Sequence, residues 1–342
     1  MKLSQASKKQ LRDLLCELGI YIREAVCKSR SLGISKLSRI SAITASDTIF
    51  AIDRVSEKAI FAWFEKSWPK KWPVQLVMEG IDEEEKVVFP RGATLAQTVF
   101  KCILDPIDGT RGLMYDKRSA WILSGIALQR GDATQLEDIC IAVMTEIPTT
   151  RQWRSDQISA IKGQGINARC FDTRSKAKHN AGRVLNLKAS RAKNCIYGFA
   201  SFARFFPQGK AITSRIEESL WRNVYGEEAF SGSTIFEDQY ISTGGQLYEL
   251  LCGHDRAVFD IRPLVFTKIR ASASLVCHPY DICTQLILLE AGAVIEHPMG
   301  GGIKVPLDTT TAVAWVGYAN KSIARKLRAP LRRALRKELK LK

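Results

Sequence analysis

The chain has 342 residues, 46% of them hydrophobic and 25% charged, with a formal net charge of +16. That length suits two domains or one large one with ample material for a core, and the proportions are those of a soluble globular protein. No apolar run approaches the roughly 20 residues that cross a bilayer, which excludes a membrane-spanning helix.

Residues 4 to 30 read as a helix, since Leu11, Leu14, Leu15, Leu18 and Ile22 recur at helical spacing. The same stretch lacks the uncharged apolar core of a signal peptide, so a cytoplasmic location is expected. Residues 46 to 66 read as a second helix, capped by Ser46 or Asp47, with Ile49, Ile52, Val55, Ala59, Ile60 and Trp63 on one side. "SWPKKWP" ends it. "VQLVME" reads as a strand closing at Glu79, "GIDEEEK" as a loop, and "KVVF" as a short strand. Residues 95 to 104, "LAQTVFKCIL", are apolar and run directly into Asp105 and Asp108. "SAWILSGIALQRG" and "DICIAVMTEIP" read as paired strands around a polar turn at Arg130-Gly131-Asp132, and "QISAIKGQGINA" adds a strand and a glycine turn.

From about residue 194 the pattern alternates: "NCIYGFA", the helix "AITSRIEESLWRNVYG", "GSTIFEDQYISTGG", "RAVFDI", then a helix opened by Asp281 in "DICTQLILLEAGAVIEHP". The expected division is an N-terminal α+β domain over 1–190, a C-terminal α/β domain over 191–322, and a basic helix or tail over 323–342. No repeat or low-complexity linker separates the halves, so they are expected to share a large interface.

The nine cysteines form no CxxC pair, which suggests reduced thiols, mostly buried. Cys252, His254, Cys277 and His278 are the densest group, but their spacing matches no zinc ribbon or finger, so packing and loop contacts explain them. The charge is uneven. The last 18 residues hold nine Lys/Arg and one Glu, half of the net charge. Ile323, Leu327, Leu331, Leu335 and Leu339 form an i, i+4 stripe there, with Pro330 expected in the first turn of a helix. Two readings stay open: a solvated helix with one face docked on the body, or a surface that attracts a polyanion, acidic lipid or acidic partner.

"ILDPIDGTRG", residues 103 to 112, carries the most chemistry. Two carboxylates so close repel, and each resists desolvation, so either a cation lies against them or the turn stays wet. Glu79 closes one predicted strand, Asp105 and Asp108 follow another, and Asp281 opens a helix. Hard divalent cations such as Mg²⁺ take oxygen ligands of this kind together with waters and substrate phosphates. Backbone N–H groups at Asp108-Gly109-Thr110 could receive a phosphate oxygen. Asp, Pro, Gly and Thr are equally good turn residues, so "DPIDGT" alone leaves a metal site and a capped turn open.

The ordered blocks resemble the inositol monophosphatase superfamily of Mg²⁺-dependent phosphomonoesterases. Its hexapeptide Asp-Pro-Ile-Asp-Gly-Thr stands unchanged at Asp105 to Thr110. "DTIFAIDRVSEKAI" is similar to the family helix that brings an aspartate, here Asp53, to the site. "MEG" partly matches its Glu-Glu strand end at Glu79, "AIKGQGINA" its glycine hairpin, and "YDICTQLILLEAGAVI" its last metal aspartate and Glu-Ala-Gly end. The matched blocks cover roughly residues 45 to 310.

The resemblance implies α+β and α/β structure in an alternating α-β-α-β-α layered sandwich of the sugar phosphatase type, two or more Mg²⁺ ions, and hydrolysis of a small phosphate monoester. It assigns Glu79, Asp105 and the Ile107 carbonyl to one ion and Asp105, Asp108 and Asp281 to a second. Thr110, oriented by Asp53, would position the attacking water, and Gly109 and Thr110 would hold phosphate. Fructose-bisphosphatase or 3′-phosphate nucleotidase activity, a homodimer, and a non-catalytic binding protein with a basic tail are the alternatives. Gly232, Ser233 and Thr234 are candidates for substrate contact. Arg256 and Arg262 could reach an anionic substrate or pair on the surface. The sequence departs from the family at Gly80 in place of a second glutamate, at Gly112-Leu113, at Tyr280 in place of tryptophan, and across 252–280.

Overall fold

The computed structural model describes residues 3–30, 40–43, 48–82, 84–175, 182–227, 234–271 and 275–341. Helix α1 (Gln5–Arg30) buries Leu11, Leu15, Leu18 and Ile22 of the predicted stripe completely and Leu14 partly, and extends the buried face to Val26. The second helix starts later than expected. Ile40–Ile43 (β1) and Thr48–Phe50 (β2) pair antiparallel, and α2 (Ala51–Ser67) begins only after them. Thr-Ile-Phe suits extended backbone better than a helical first turn. Ser46 and Asp47, the expected caps, lie outside the described residues.

Strands β3 (Val74–Met78), β4 (Val87–Phe89), β5 (Phe100–Asp108), β6 (Ala120–Leu128), β7 (Ile141–Ile147), β8 (Arg154–Ile161), β9 (Ile166–Asp172) and β10 (Arg183–Val184) form one sheet, ordered β10-β9-β8-β7-β6-β5-β3-β4. Its β5 to β8 core is a meander of antiparallel neighbours, with β3 parallel to β5 at one side. Both faces are covered, so the central strands read as apolar runs rather than clean alternations. Phe100, Cys102, Leu104, Ile122 and Val143 face α1 and α2; Ile103, Trp121, Leu123 and Met144 face the other way.

The second sheet contains β11 (Gly198–Phe202), β12 (Ile235–Phe236), β13 (Asp255–Asp260), β14 (Val294–Glu296) and β15 (Trp315–Tyr318), ordered β12-β11-β13-β15-β14. Between the sheets lie α5 (Thr243–Cys252), α7 (Pro279–Ile282) and α8 (Gln285–Glu290). Outside the second sheet lie α4 (Lys210–Tyr225), α6 (Arg262–Ile269) and α9 (Lys321–Leu339), while α3 (Thr110–Met114) follows β5 directly. The layers therefore alternate α-β-α-β-α, as the resemblance implies. One apolar cluster lies under α1 and α2; the other runs from the first sheet through the middle helices and second sheet to α9.

Two readings need correction, and one strand is added. The helix expected from Asp281 is broken into α7 and α8 at Cys283-Thr284. Pro330 lies inside α9 rather than in its first turn, because the helix starts at Lys321 under an Asn320 cap. Strand β15, in "AVAWVGY", is an addition to the expected elements: its apolar run forms a buried strand between β13 and β14. The glycine turn after β8 has a further function in packing: Gly163 and Gly165, both at positive φ, donate their N–H groups to the two Glu290 carboxylate oxygens at 2.7 and 2.8 Å. That contact ties the first sheet to the end of α8. All nine cysteines are free thiols.

Candidate active site

The β5–β6 register slips between Asp105 and Asp108: Asp105 lies opposite Leu123, and Asp108 opposite Trp121. Three steps on β5 thus match two on β6. Pro106 has no N–H to give the ladder, and the extra residue is taken up there as a bulge. In a regular strand, residues three apart point to opposite faces. The bulge returns Asp108 to the side of Asp105, toward the middle layer.

Asp281, on the short helix α7, completes the group. One carboxylate oxygen from each of Asp105, Asp108 and Asp281 lies within 4.8 Å of the others. Glu79 follows β3, where its N–H donates to the Leu104 carbonyl at 3.3 Å, and it lines the same cavity. Burial and the charges of Glu79, Asp108 and Asp281 push the Asp105 carboxyl well above its usual range, although the Ile107 N–H donates to it at 3.0 Å. Burial and Asp281 push Asp108 up to about 7.

Asp108 also has donors that sequence reasoning missed. The Ser242 hydroxyl donates to it at 2.7 Å and the Thr243 N–H at 3.2 Å; the Gly244 N–H donates as well. These groups form the start of α5, whose positive end faces the carboxylate. The legible signal was Ser-Thr-Gly-Gly at 242–245, a cap residue followed by glycines that allow close approach. Gly109 has φ +94, and a Cβ there would lie 3.0 Å from the Ser242 Cβ. Glycine is therefore required at the turn on two grounds. Thr110 opens α3 and donates its hydroxyl proton to the Ile107 carbonyl at 2.7 Å.

The cavity around these groups is also walled by Arg111, Phe205, Phe206, Arg262, His278 and Tyr280. Arg262 is fixed in place: it donates to both Asp260 oxygens at 2.8 and 2.6 Å and to the Leu275 carbonyl at 2.7 Å. Its guanidinium lies 4.7 Å from the centre of the Phe205 ring. The 252–280 stretch thus supplies the central strand β13 and delivers Arg262 to the cavity rim. Tyr280, which stands in place of the expected tryptophan, is buried and stacks on His278 at 5.3 Å.

Other candidates lie elsewhere. Arg256 does not line this cavity; its guanidinium donates to the Asn194, Ile196 and Tyr197 carbonyls. Thr234 does not line it either, and its carbonyl accepts from the Tyr197 N–H. Gly232, Ser233 and the side chain of Asp53 lie outside the described residues; the Asp53 backbone is in α2. Gly80 has φ +84 in a turn closed from the Ile81 N–H to the Met78 carbonyl, so turn geometry favours glycine where the family has glutamate. Cys252, His254, Cys277 and His278 are not drawn together as a ligand group; among the described residues only Asp105, Asp108 and Asp281 converge closely enough to hold an ion.

The donor set is all hard oxygen, mutually repulsive and buried at Asp105 and Asp108, and a hard divalent cation fits it. No protein-family model matches the sequence, and neither does any curated protein. Solved structures do match. The extragenic suppressor protein suhB of Bartonella henselae is 15% identical, with TM-score 0.62 over 96% of this chain and 99% of that one. Leishmania major fructose-1,6-bisphosphatase is 12% identical, with TM-score 0.66 over 98% and 96%. The MJ0109 gene product, an inositol monophosphatase–fructose 1,6-bisphosphatase, is 16% identical, with TM-score 0.59 over 93% and 98%. The chain has the fold of the inositol monophosphatase superfamily.

Proposed function

We propose that the protein is a Mg²⁺-dependent phosphomonoesterase acting on a small phosphorylated metabolite. The observation that carries this reading is the convergence of Asp105, Asp108 and Asp281, beside Glu79, in a cavity where burial opposes the ionisation of Asp105 and Asp108. Glu79, Asp105 and the Ile107 carbonyl would hold one ion, and Asp105, Asp108 and Asp281 another. Bound there, the ions supply charge that lowers the pKa of water and stabilises the departing oxygen. The Thr110 hydroxyl gives its proton to Ile107, so its oxygen is oriented as an acceptor for a proton of the attacking water. The resemblance would add Asp53 as a partner of Thr110, and the Gly109 and Thr110 N–H groups would receive a phosphate oxygen. Water forms the new bond to phosphorus, the ester P–O bond breaks, and the alcohol leaves with a proton.

Inositol monophosphates and fructose 1,6-bisphosphate come first as substrates, because two of the matched structures carry those activities in their names. A nucleoside 3′-phosphate is the second reading, favoured by the half-buried Phe205 and Phe206 rings in the cavity wall, which suit a flat leaving group. Phosphate release is measured on all three substrates, with Mg²⁺ and with EDTA. Turnover that stops in EDTA supports the reading. Undiminished turnover in EDTA overturns the metal mechanism, and no turnover on any substrate leaves the binding-protein alternative.

A further inference from the structure

Helix α9 holds nine Lys/Arg and one acid between Lys321 and Lys340. Its apolar stripe is consumed by the fold: Ile323, Leu327, Leu331 and Leu335 are fully buried against the body, and Leu339 nearly so. The opposite face is exposed and basic, with Arg325, Lys326, Arg333, Arg336, Lys337 and Lys340 open to solvent. The one acid does not offset them, because Glu338 is paired with Arg215 of α4 at 2.9 Å. The Asn320 side chain donates to the Ser190 and Ala192 carbonyls at 2.7 and 3.0 Å. That pins the segment carrying exposed Lys188, Arg191 and Lys193 to the start of the helix.

We infer that this face docks the phosphodiester backbone of a nucleic acid. The helix rises about 1.5 Å per residue, so its charges extend over about 28 Å. That span faces roughly eight phosphates of one strand at about 3.4 Å each. A membrane partner fits less well. A helix that lies in a bilayer surface buries its apolar face there, and here that face is already inside the protein. Leu341, 37% exposed, is the only large exposed apolar residue of the described C-terminal segment. The docking face is separate from the acidic cavity and does not depend on the proposed hydrolysis.

The test uses the full chain, a labelled duplex of about 20 base pairs, and vesicles of phosphatidylcholine containing phosphatidylserine. Arg325, Arg333, Arg336 and Lys340 are changed together to Gln; a control variant changes exposed Lys9, Lys58, Lys66 and Lys70 to Gln and has the same net charge. Each lost phosphate contact removes about 0.9 from the slope of log K against log salt. The α9 variant is expected to lose about 3.6 of that slope and about 100-fold or more in affinity near 0.1 M salt. The control should stay within a few-fold of the parent. All forms should melt alike and release phosphate alike. Equal losses in both variants would reduce the effect to diffuse net charge and overturn the docking face. So would binding to the vesicles without binding to the duplex, or no duplex binding near 50 mM salt.

Discussion

Asp105 and Asp108 project to the same side of β5 although they stand three positions apart, because the strand bulges at Pro106. The bulge aims both carboxylates at Asp281, in a group that could hold a cation. Removing charge from Asp105 while keeping an oxygen for the Ile107 N–H therefore separates stability from function. Asp105→Asn is expected to melt at or above the parent temperature in EDTA, since burial and three carboxylates oppose the native anion. Mg²⁺ should raise the parent's melting temperature and leave the variant's nearly unchanged, because a ligand stabilises only a state that binds it. Phosphate release should fall by at least about 100-fold, a loss of roughly 2.7 kcal/mol in transition-state stabilisation. A parent-like Mg²⁺ response in the variant would place the ions elsewhere.

Gly244 is fixed by contact rather than by backbone conformation. A Cβ there would lie 2.9 Å from Asp108 Oδ2, 2.7 Å from Leu123 Cδ2 and 3.0 Å from the Trp121 Cβ. Gly244→Ala must push α5 away from β6, and overpacking of this kind costs about 1–3 kcal/mol. The displaced helix start also withdraws donors from Asp108, so the Mg²⁺ concentration for half-maximal turnover should rise. Thermal unfolding and a Mg²⁺ titration of phosphate release check both effects. Gly112→Ala is the control, because a Cβ there meets nothing closer than 3.5 Å.

The layered fold was legible because its long elements announce themselves: the α1 stripe, the runs of β5 to β8, and the "DPIDGT" turn. The carboxylates were legible because like charges at that spacing repel unless a cation lies against them or the turn stays wet. What the sequence hid was long-range. No local pattern says that Ser242, Thr243 and Gly244 meet Asp108 across 134 to 136 positions. Arg256 and Arg262 look alike in the sequence, yet one is spent on backbone carbonyls and the other on Asp260 at the cavity. The break between α7 and α8 interrupts an apolar run that has no proline or glycine to mark it.

Glu146, on β7, gives the pH dependence a group away from the carboxylate cluster. Burial pushes it up to about 7, against the Asp156 N–H that donates to it at 3.1 Å. A carboxyl raised in the native state binds more protons there than in the unfolded chain between about pH 4.5 and 7. Its contribution to stability is then complete below pH 4.5 and is lost as pH rises through 7. The difference is worth about 3 kcal/mol at full ionisation. Glu146→Gln should flatten that part of the stability profile and melt higher than the parent at pH 8. Denaturant midpoints at pH 5 and 8 measure it; an equal shift at both values would mean that packing, not ionisation, separates the two proteins.

Helix α9 has two faces with separable consequences. Ile323, Leu327, Leu331, Leu335 and Leu339 pack into the larger apolar cluster, where the helix rests on α4 and Lys326 lies 4.6 Å from the Tyr225 ring centre. Each buried side chain of this size is worth about 1.5–3 kcal/mol, and together they rival the whole stability of a typical domain, about 5–15 kcal/mol. A chain ending at Ser322 should therefore aggregate or melt far below the parent, and its phosphate release should fail with the fold. The point variant Leu331→Ala gives the graded form of the same loss, about 2–5 kcal/mol, with unchanged Mg²⁺ dependence in the protein that remains folded. The Gln variants of the exposed face should leave the melting temperature where it was, since surface changes of this kind are usually within about 0.5 kcal/mol. If the shortened chain were soluble and melted like the parent, the buried stripe would contribute little to stability, and the helix would be an appendage rather than a layer of the fold.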